Sequence, residues 1–166
     1  MTSQGRPRPR LPPGRSGEDV TDLDKRIIEH LQADGRRPFT QIATDLGVSE
    51  AAVRARTNRL IERGILQIVG VTDPLRLGFH QMAMIGVRCE SDQLVTVAEE
   101  IAGMPEVDYV VITAGTYDLL IETVCEDNEA LLRFLTEKLR AVAGVRETET
   151  FVYLRMVKQT YQWGTR

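Results

Sequence analysis

Between residues 21 and 64 the apolar positions recur every three or four residues, the spacing of amphipathic helices. Leu23, Ile27 and Leu31 form the stripe of a first helix over about Leu23–Ala33, which Thr21 or Asp22 can cap and Gly35 ends. A short second helix, capped by Thr40, carries Ile42, Ala43 and Leu46 and stops at Gly47. Ser49 caps a third, which runs to Arg63, stops at Gly64 and turns Val53, Thr57 and Leu60 inward. Residues 65–73 read as a short β hairpin or wing, and Pro74 and Gly78 punctuate a linker over 74–81.

From Met82 the period changes. Met82–Cys89, Val107–Thr113, Tyr117–Cys125 and Arg146–Val157 read as strands. Ser91–Ala102 reads as a helix with Leu94, Val97, Ala98 and Ile101 on one face, and Asn128–Ala143 as another with Leu131, Phe134, Leu135 and Val142 inward. The order β-α-β-β-α-β is the split arrangement of ferredoxin-like folds. Ile101-Ala102-Gly103 and Val142-Ala143-Gly144 each close a helix before a strand, as two β-α-β halves require. The expected class is α+β: a winged helix-turn-helix over 21–73, then a ferredoxin-like domain over 82–158.

Charge sharpens this division. The net charge of −3 conceals an uneven distribution. Residues 21–80 hold nine Lys/Arg against eight Asp/Glu, whereas residues 81–166 hold eight against fourteen. The first 20 residues carry four Arg and two acids around Arg6-Pro7-Arg8-Pro9-Arg10, a run that cannot be helical and is expected to be a disordered tail. Residues 159–166 are expected to form a second tail. No apolar run approaches the ~20 residues of a membrane span, and no apolar stretch follows the basic N-terminus, so residence in the cytoplasm away from membranes is expected. Cys89 and Cys125 are too few for a disulfide framework and read as small buried residues, and no metal or cofactor is expected.

The third helix carries the most specific chemistry. Two helices joined at Gly47-Val48 are the local signature of a helix-turn-helix, whose second helix enters the major groove of double-stranded DNA. At about 100° per residue, the face opposite Val53, Thr57 and Leu60 holds Ala51, Ala55, Asn58 and Glu62, flanked by Arg54 and Arg59. Small alanines admit a close approach, arginine donates to guanine or grips phosphate, and asparagine pairs with adenine. Arg56 points nearer the buried side, as a brace or a phosphate contact. The candidate DNA-binding set is Ser49, Ala51, Arg54, Ala55, Arg56, Asn58 and Arg59.

These stretches resemble the leucine-responsive regulatory protein/AsnC, or feast/famine, family of transcription regulators. The likeness rests on Leu23-Asp24-Lys25-Arg26-Ile27-Ile28, Leu31-Gln32-Ala33-Asp34-Gly35-Arg36, Ile42-Ala43, Leu46-Gly47-Val48-Ser49, Val53-Arg54-Ala55-Arg56 and Leu60-Ile61-Glu62-Arg63-Gly64-Ile65-Leu66. In the second domain Gly115-Thr116-Tyr117-Asp118 matches the family's Gly-x-Tyr-Asp loop. The resemblance implies a homodimer that assembles further, commonly to an octamer, and an amino acid bound between C-terminal domains of neighbouring subunits. The Arg/Pro tail departs from the family, and Thr57-Asn58 falls where relatives vary, so the operator sequence does not carry over.

The loop over residues 113–118 offers backbone amides, hydroxyls and one carboxylate. Together these can hold both ends of a free amino acid, amides or hydroxyls taking its carboxylate and the acid its ammonium. By resemblance, Gly115, Thr116, Tyr117 and Asp118 lie at the effector pocket, and Thr148 and Thr150 alternate onto one strand face where they could add hydroxyls. The same residues equally suit a turn, with Gly115 forming it and Asp118 capping backbone amides. A rival reading makes the chain an architectural DNA-binding protein whose second domain only assembles the oligomer. A metabolic enzyme is the least supported, since no Gly-rich phosphate loop, metal cluster or nucleophile–base pair stands in the sequence.

Overall fold

The computed structural model describes residues 20–160 together with 164 and 165, so the Arg/Pro run lies outside the described residues. The described chain forms two compact units: residues up to 70 with those from 160 onward, and residues 71–159.

The first unit contains three helices, α1 (Asp22–Ala33), α2 (Phe39–Leu46) and α3 (Glu50–Glu62). Ile27, Ile28, Leu31, Ile42, Ala43, Val53, Leu60 and Leu66 form its core. The Thr21 hydroxyl accepts from the Asp24 amide while the Asp24 carboxylate accepts from the Thr21 amide, a reciprocal cap that fixes the start of α1. The start of α2 differs from expectation. Pro38, at φ −60°, takes the N-cap position without a side-chain bond, and Thr40 lies inside the helix, its carbonyl accepting from the Thr44 hydroxyl at 3.0 Å. Proline's fixed φ and missing N–H suit a helix start, so the helix begins before the threonine.

Gly47 ends α2 at φ 67°, ψ 33°, a left-handed conformation that glycine adopts without steric cost. The Val48 amide reaches back to the Ala43 carbonyl at 3.0 Å, and Ser49 then opens α3 by accepting from the Ala52 amide at 3.2 Å. The expected wing is not formed. Residues 65–73 contain no strand and are followed by a 3-10 turn at Pro74–Leu77. The stretch holds one strand's length of β-prone residues but no second strand to pair with, so Ile65, Ile68, Val69 and Val71 stand exposed.

The second unit is a four-stranded antiparallel sheet in the order β2-β3-β1-β4, formed by β1 (Gln81–Cys89), β2 (Val107–Ile112), β3 (Leu119–Cys125) and β4 (Val145–Val152). The helices α4 (Leu94–Ala102) and α5 (Asn128–Arg133) complete the β-α-β-β-α-β order. Residues at every second position of β1 (Ala83, Ile85, Val87 and Cys89) pack with Leu119, Ile121 and Cys125 of β3 against Val97, Ile101, Leu131 and Phe134.

The helix expected over 128–143 is not continuous. After Arg133 comes a π turn over Phe134–Lys138 and a 3-10 turn over Leu139–Ala141. The wide turn inserts one extra residue, so Leu139 rather than residue 138 continues the buried stripe. Lys138 instead pairs with Glu106. The last strand ends at Val152 rather than Val157, and Leu154 and Val157 beyond it are exposed. Among the described residues no helix is long and apolar enough to cross a membrane.

Candidate functional site

The outward face of α3 is built by subtraction. Val53, Thr57 and Leu60 are buried, and the opposite side exposes Ala51, Arg54, Ala55 and Asn58, which with Glu50 line one shallow surface groove. Ser49 uses its hydroxyl as the helix cap.

The three arginines of this helix differ in their surroundings. Arg56 Nη1 donates to Asp24 Oδ1 at 3.0 Å and to the Thr21 hydroxyl at 3.1 Å, which ties α3 to the start of α1. Arg59, half-exposed, reaches Asp24 Oδ2 at 3.3 Å. Arg54 turns to its own helix and to α2 before it, donating to Glu50 at 2.5 Å with its guanidinium carbon 5.2 Å from the centre of the Phe39 ring.

Asp24, wholly buried, was absent from the expected site. Burial alone would raise its pKa, but the Thr21 hydroxyl and amide and the Arg56 guanidinium together hold the carboxyl below its ordinary range. The Thr-x-x-Asp spacing signals the cap; nothing in sequence signals a link to an arginine 32 residues away. Phe39 likewise depends on the packing of α2 against α3, whereas Glu50 stands four residues before Arg54, an i,i+4 spacing that the sequence does show.

In the second unit the loop over 113–118 is pinned from both sides. The Thr113 amide donates to the Asp118 carbonyl at 2.9 Å, and the Asp118 amide to the Val87 carbonyl at 3.0 Å. Asp118 Oδ2 accepts from the Cys89 amide at 2.8 Å, so one carboxylate oxygen anchors the loop to β1. Gly115 and Thr116 are exposed at its tip. The Tyr117 ring lies flat over Gly86, where a β-carbon would come within 2.5 Å of it. Phe151 meets that ring edge-on with centroids 6.4 Å apart.

Arg88, also missed, completes the arrangement. Its guanidinium lies 5.8 Å from the Tyr117 ring centre, its Nε donates to the Thr116 carbonyl at 3.1 Å, and its Nη1 pairs with Glu147 at 3.2 Å. Its only sequence trace is a charge at an outward position of an apolar strand.

Thr148 and Thr150 do not join this cluster. They pair with Val87 and Ile85, whose side chains face the helices, so they lie on the sheet face opposite Tyr117. Thr148 borders a surface hollow at the β4 edge of the sheet with Arg140, Arg146 and Glu147. On Tyr117's face, the Tyr153 hydroxyl donates to Glu122 at 2.9 Å; burial, that bond and the Glu122 charge raise the phenol's pKa to about 12. No cluster suited to holding a metal ion occurs among the described residues.

The two units match two known domains. Residues 20–61 match the AsnC-type helix-turn-helix domain, and residues 82–163 the Lrp/AsnC ligand binding domain. An uncharacterized HTH-type transcriptional regulator of Pyrococcus horikoshii is 34% identical over 147 residues, 88% of this chain and 90% of that protein. The HTH-type transcriptional regulator LrpA of the same organism is 31% identical over 84% of this chain and 99% of its own length. The solved structure of Escherichia coli AsnC superimposes with a TM-score of 0.77 at 24% identity, over 84% of this chain and 95% of that one. A Neisseria meningitidis transcriptional regulator solved as a complex with L-Met gives 0.78 at 23% identity, over 86% and 95%. The chain therefore belongs to the Lrp/AsnC family of helix-turn-helix transcriptional regulators and carries the family's ligand-binding domain.

Proposed function

We propose that this regulator binds specific double-stranded DNA sites through α3, as a cytoplasmic homodimer that assembles further, up to an octamer, and that a free amino acid bound at the loop over 113–118 controls it. The observation that carries the DNA reading is the sorting of α3: small residues and Asn58 exposed on one face, with the helix fixed from behind by Arg56 on the buried Asp24. Such a face admits close approach to base edges.

The amino-acid reading is supported by the exposed Gly115-Thr116 tip held on a Tyr117–Arg88 base, and by the L-Met complex of the Neisseria meningitidis relative. Tip amides and the Thr116 hydroxyl take the effector carboxylate, and Asp118 offers its second oxygen to the ammonium. Thr148 and Thr150 face the other way, so on this reading they join the site only from a neighbouring subunit, with the effector held between subunits.

A thermal-shift screen of the twenty amino acids on the full chain tests this, because a ligand that binds only the native state raises the melting temperature. One or a few amino acids should raise it, and Asp118→Ala should abolish that shift while DNA binding in a gel shift persists. If no amino acid raises it while specific DNA is still bound, the architectural reading replaces this one.

A further inference from the structure

Acidic side chains are unwelcome on a surface that approaches phosphate, yet Glu50 stands at the first position of α3 beside Ala51 and Arg54. Its bond to Arg54 contributes little stability: the two side chains are 40% and 58% exposed, and an exposed i,i+4 pair is worth only a few tenths of a kcal/mol. What the bond does fix is direction. The Glu50 carboxylate takes one edge of the guanidinium while the Phe39 ring lies 5.2 Å from it, so a long, mobile side chain is restrained on two sides.

The other two arginines of α3 are drawn to Asp24 on α1. Arg54 alone of the three lines the groove with Ala51, Ala55 and Asn58.

From this geometry we infer that Glu50 and Phe39 are positioning residues that aim Arg54 at a base rather than at phosphate, and that the base is a guanine. A guanidinium already paired with a carboxylate is electrically close to neutral and makes a poor phosphate contact. It keeps N–H groups for the paired acceptors O6 and N7 of guanine, the one base edge in the major groove that presents two acceptors. Near the N-terminus of α3, Arg54 also sits where a reading helix meets base edges. The assignment rests on the proposed DNA-reading role of α3 and adds which residue reads, what holds it, and which base it selects.

The two modes leave different signatures. Loss of a phosphate contact weakens binding to all sequences alike and lowers the slope of log K against log salt by about one; loss of a base contact removes a preference at one position. The test uses the full chain and duplexes enriched by it from a random-sequence library, followed by titration of wild type, Arg54→Ala and Glu50→Gln at several salt concentrations. Wild type should enrich one guanine per half-site. Arg54→Ala should lose roughly ten- to hundred-fold of the preference for that guanine, with the salt slope unchanged. Glu50→Gln should relax the same preference while binding random-sequence DNA more tightly, because a repelling carboxylate is gone. A uniform loss with a slope lower by about one in Arg54→Ala, or an unaltered guanine preference in either variant, overturns the inference. Failure of wild type to enrich any sequence overturns the DNA-reading role itself, a separate result.

Discussion

At the scale of single residues, the side chain with the largest consequence is Asp24. It caps α1, holds Arg56 and Arg59 of α3, and has no exposed surface. Asp24→Ala removes the cap and leaves Arg56 without its counter-charge, at an expected cost of about 2–4 kcal/mol. Because the fold holds this carboxyl below its ordinary value, its contribution is complete above about pH 4, where the unfolded carboxyl is ionised. It is lost as pH falls through the lower, folded value. Thermal melts of wild type and variant at a series of pH values should therefore converge in acid and stay apart at neutrality; a constant gap would show that the charge on Asp24 is irrelevant. Thr57 makes the opposite case. It is fully buried among the residues of α3's inner stripe, and its hydroxyl has no partner among the described residues. Thr57→Val keeps the shape and removes the stranded polar group, so the melting temperature should rise, corresponding to about 1 kcal/mol. A lower melting temperature would mean the hydroxyl is satisfied after all. The inward position of Thr57 is plain from its spacing to Val53 and Leu60, whereas the convergence on Asp24 is not, since a charge pair so distant in sequence leaves no periodic trace.

At the scale of elements, periodicity exposed the parts whose two faces differ. The stripes of α1, α3 and α4 and the alternation of β1 and β3 are read directly from apolar spacing, because burial on one face imposes it. Three elements escaped for distinct reasons: Pro38 starts α2 early, the π turn shifts the buried stripe of the last helix to Leu139, and residues 65–73 find no strand to pair with. The candidate loop was legible as Gly115 to Asp118, but its support was not, since Gly86 and Arg88 meet Tyr117 only through the sheet register. That contact is testable without any ligand. In Gly86→Ala the new methyl falls within 2.5 Å of the Tyr117 ring, which has to move. The expected cost is about 1–3 kcal/mol, and Tyr117→Ala in the same chain should return most of it. Purely additive losses in that double-mutant cycle would show that the ring does not depend on Gly86 for its place.

At the scale of the whole molecule, the sheet has two unlike faces. One is filled by helices; the other leaves Met82, Met84, Leu120 and Val124 half-buried and Phe151 exposed, around the Tyr117 ring. A sheet face with this much apolar surface, over which no helix of its own unit packs among the described residues, is expected to be covered by another chain. Charges do stand on this face, but two of its acids already have partners within the chain: Glu122, opposite Met84, accepts from the Tyr153 hydroxyl, and Glu147 pairs with Arg88. A second copy is the occupant that the proposed function requires, because a single α3 reads one half-site and a roughly palindromic operator needs two. Phe151, opposite Met84 in the register of β1 and β4, stands within this patch. Phe151→Glu places a charge in it without touching the helix-turn-helix. Sedimentation should show wild type as a dimer or larger and the variant as a monomer at the same concentration. Operator binding by the variant should weaken and become steeply dependent on protein concentration, since dimerisation then has to occur on DNA. If Phe151→Glu sediments at the wild-type mass and binds the operator equally well, the subunits meet through another surface.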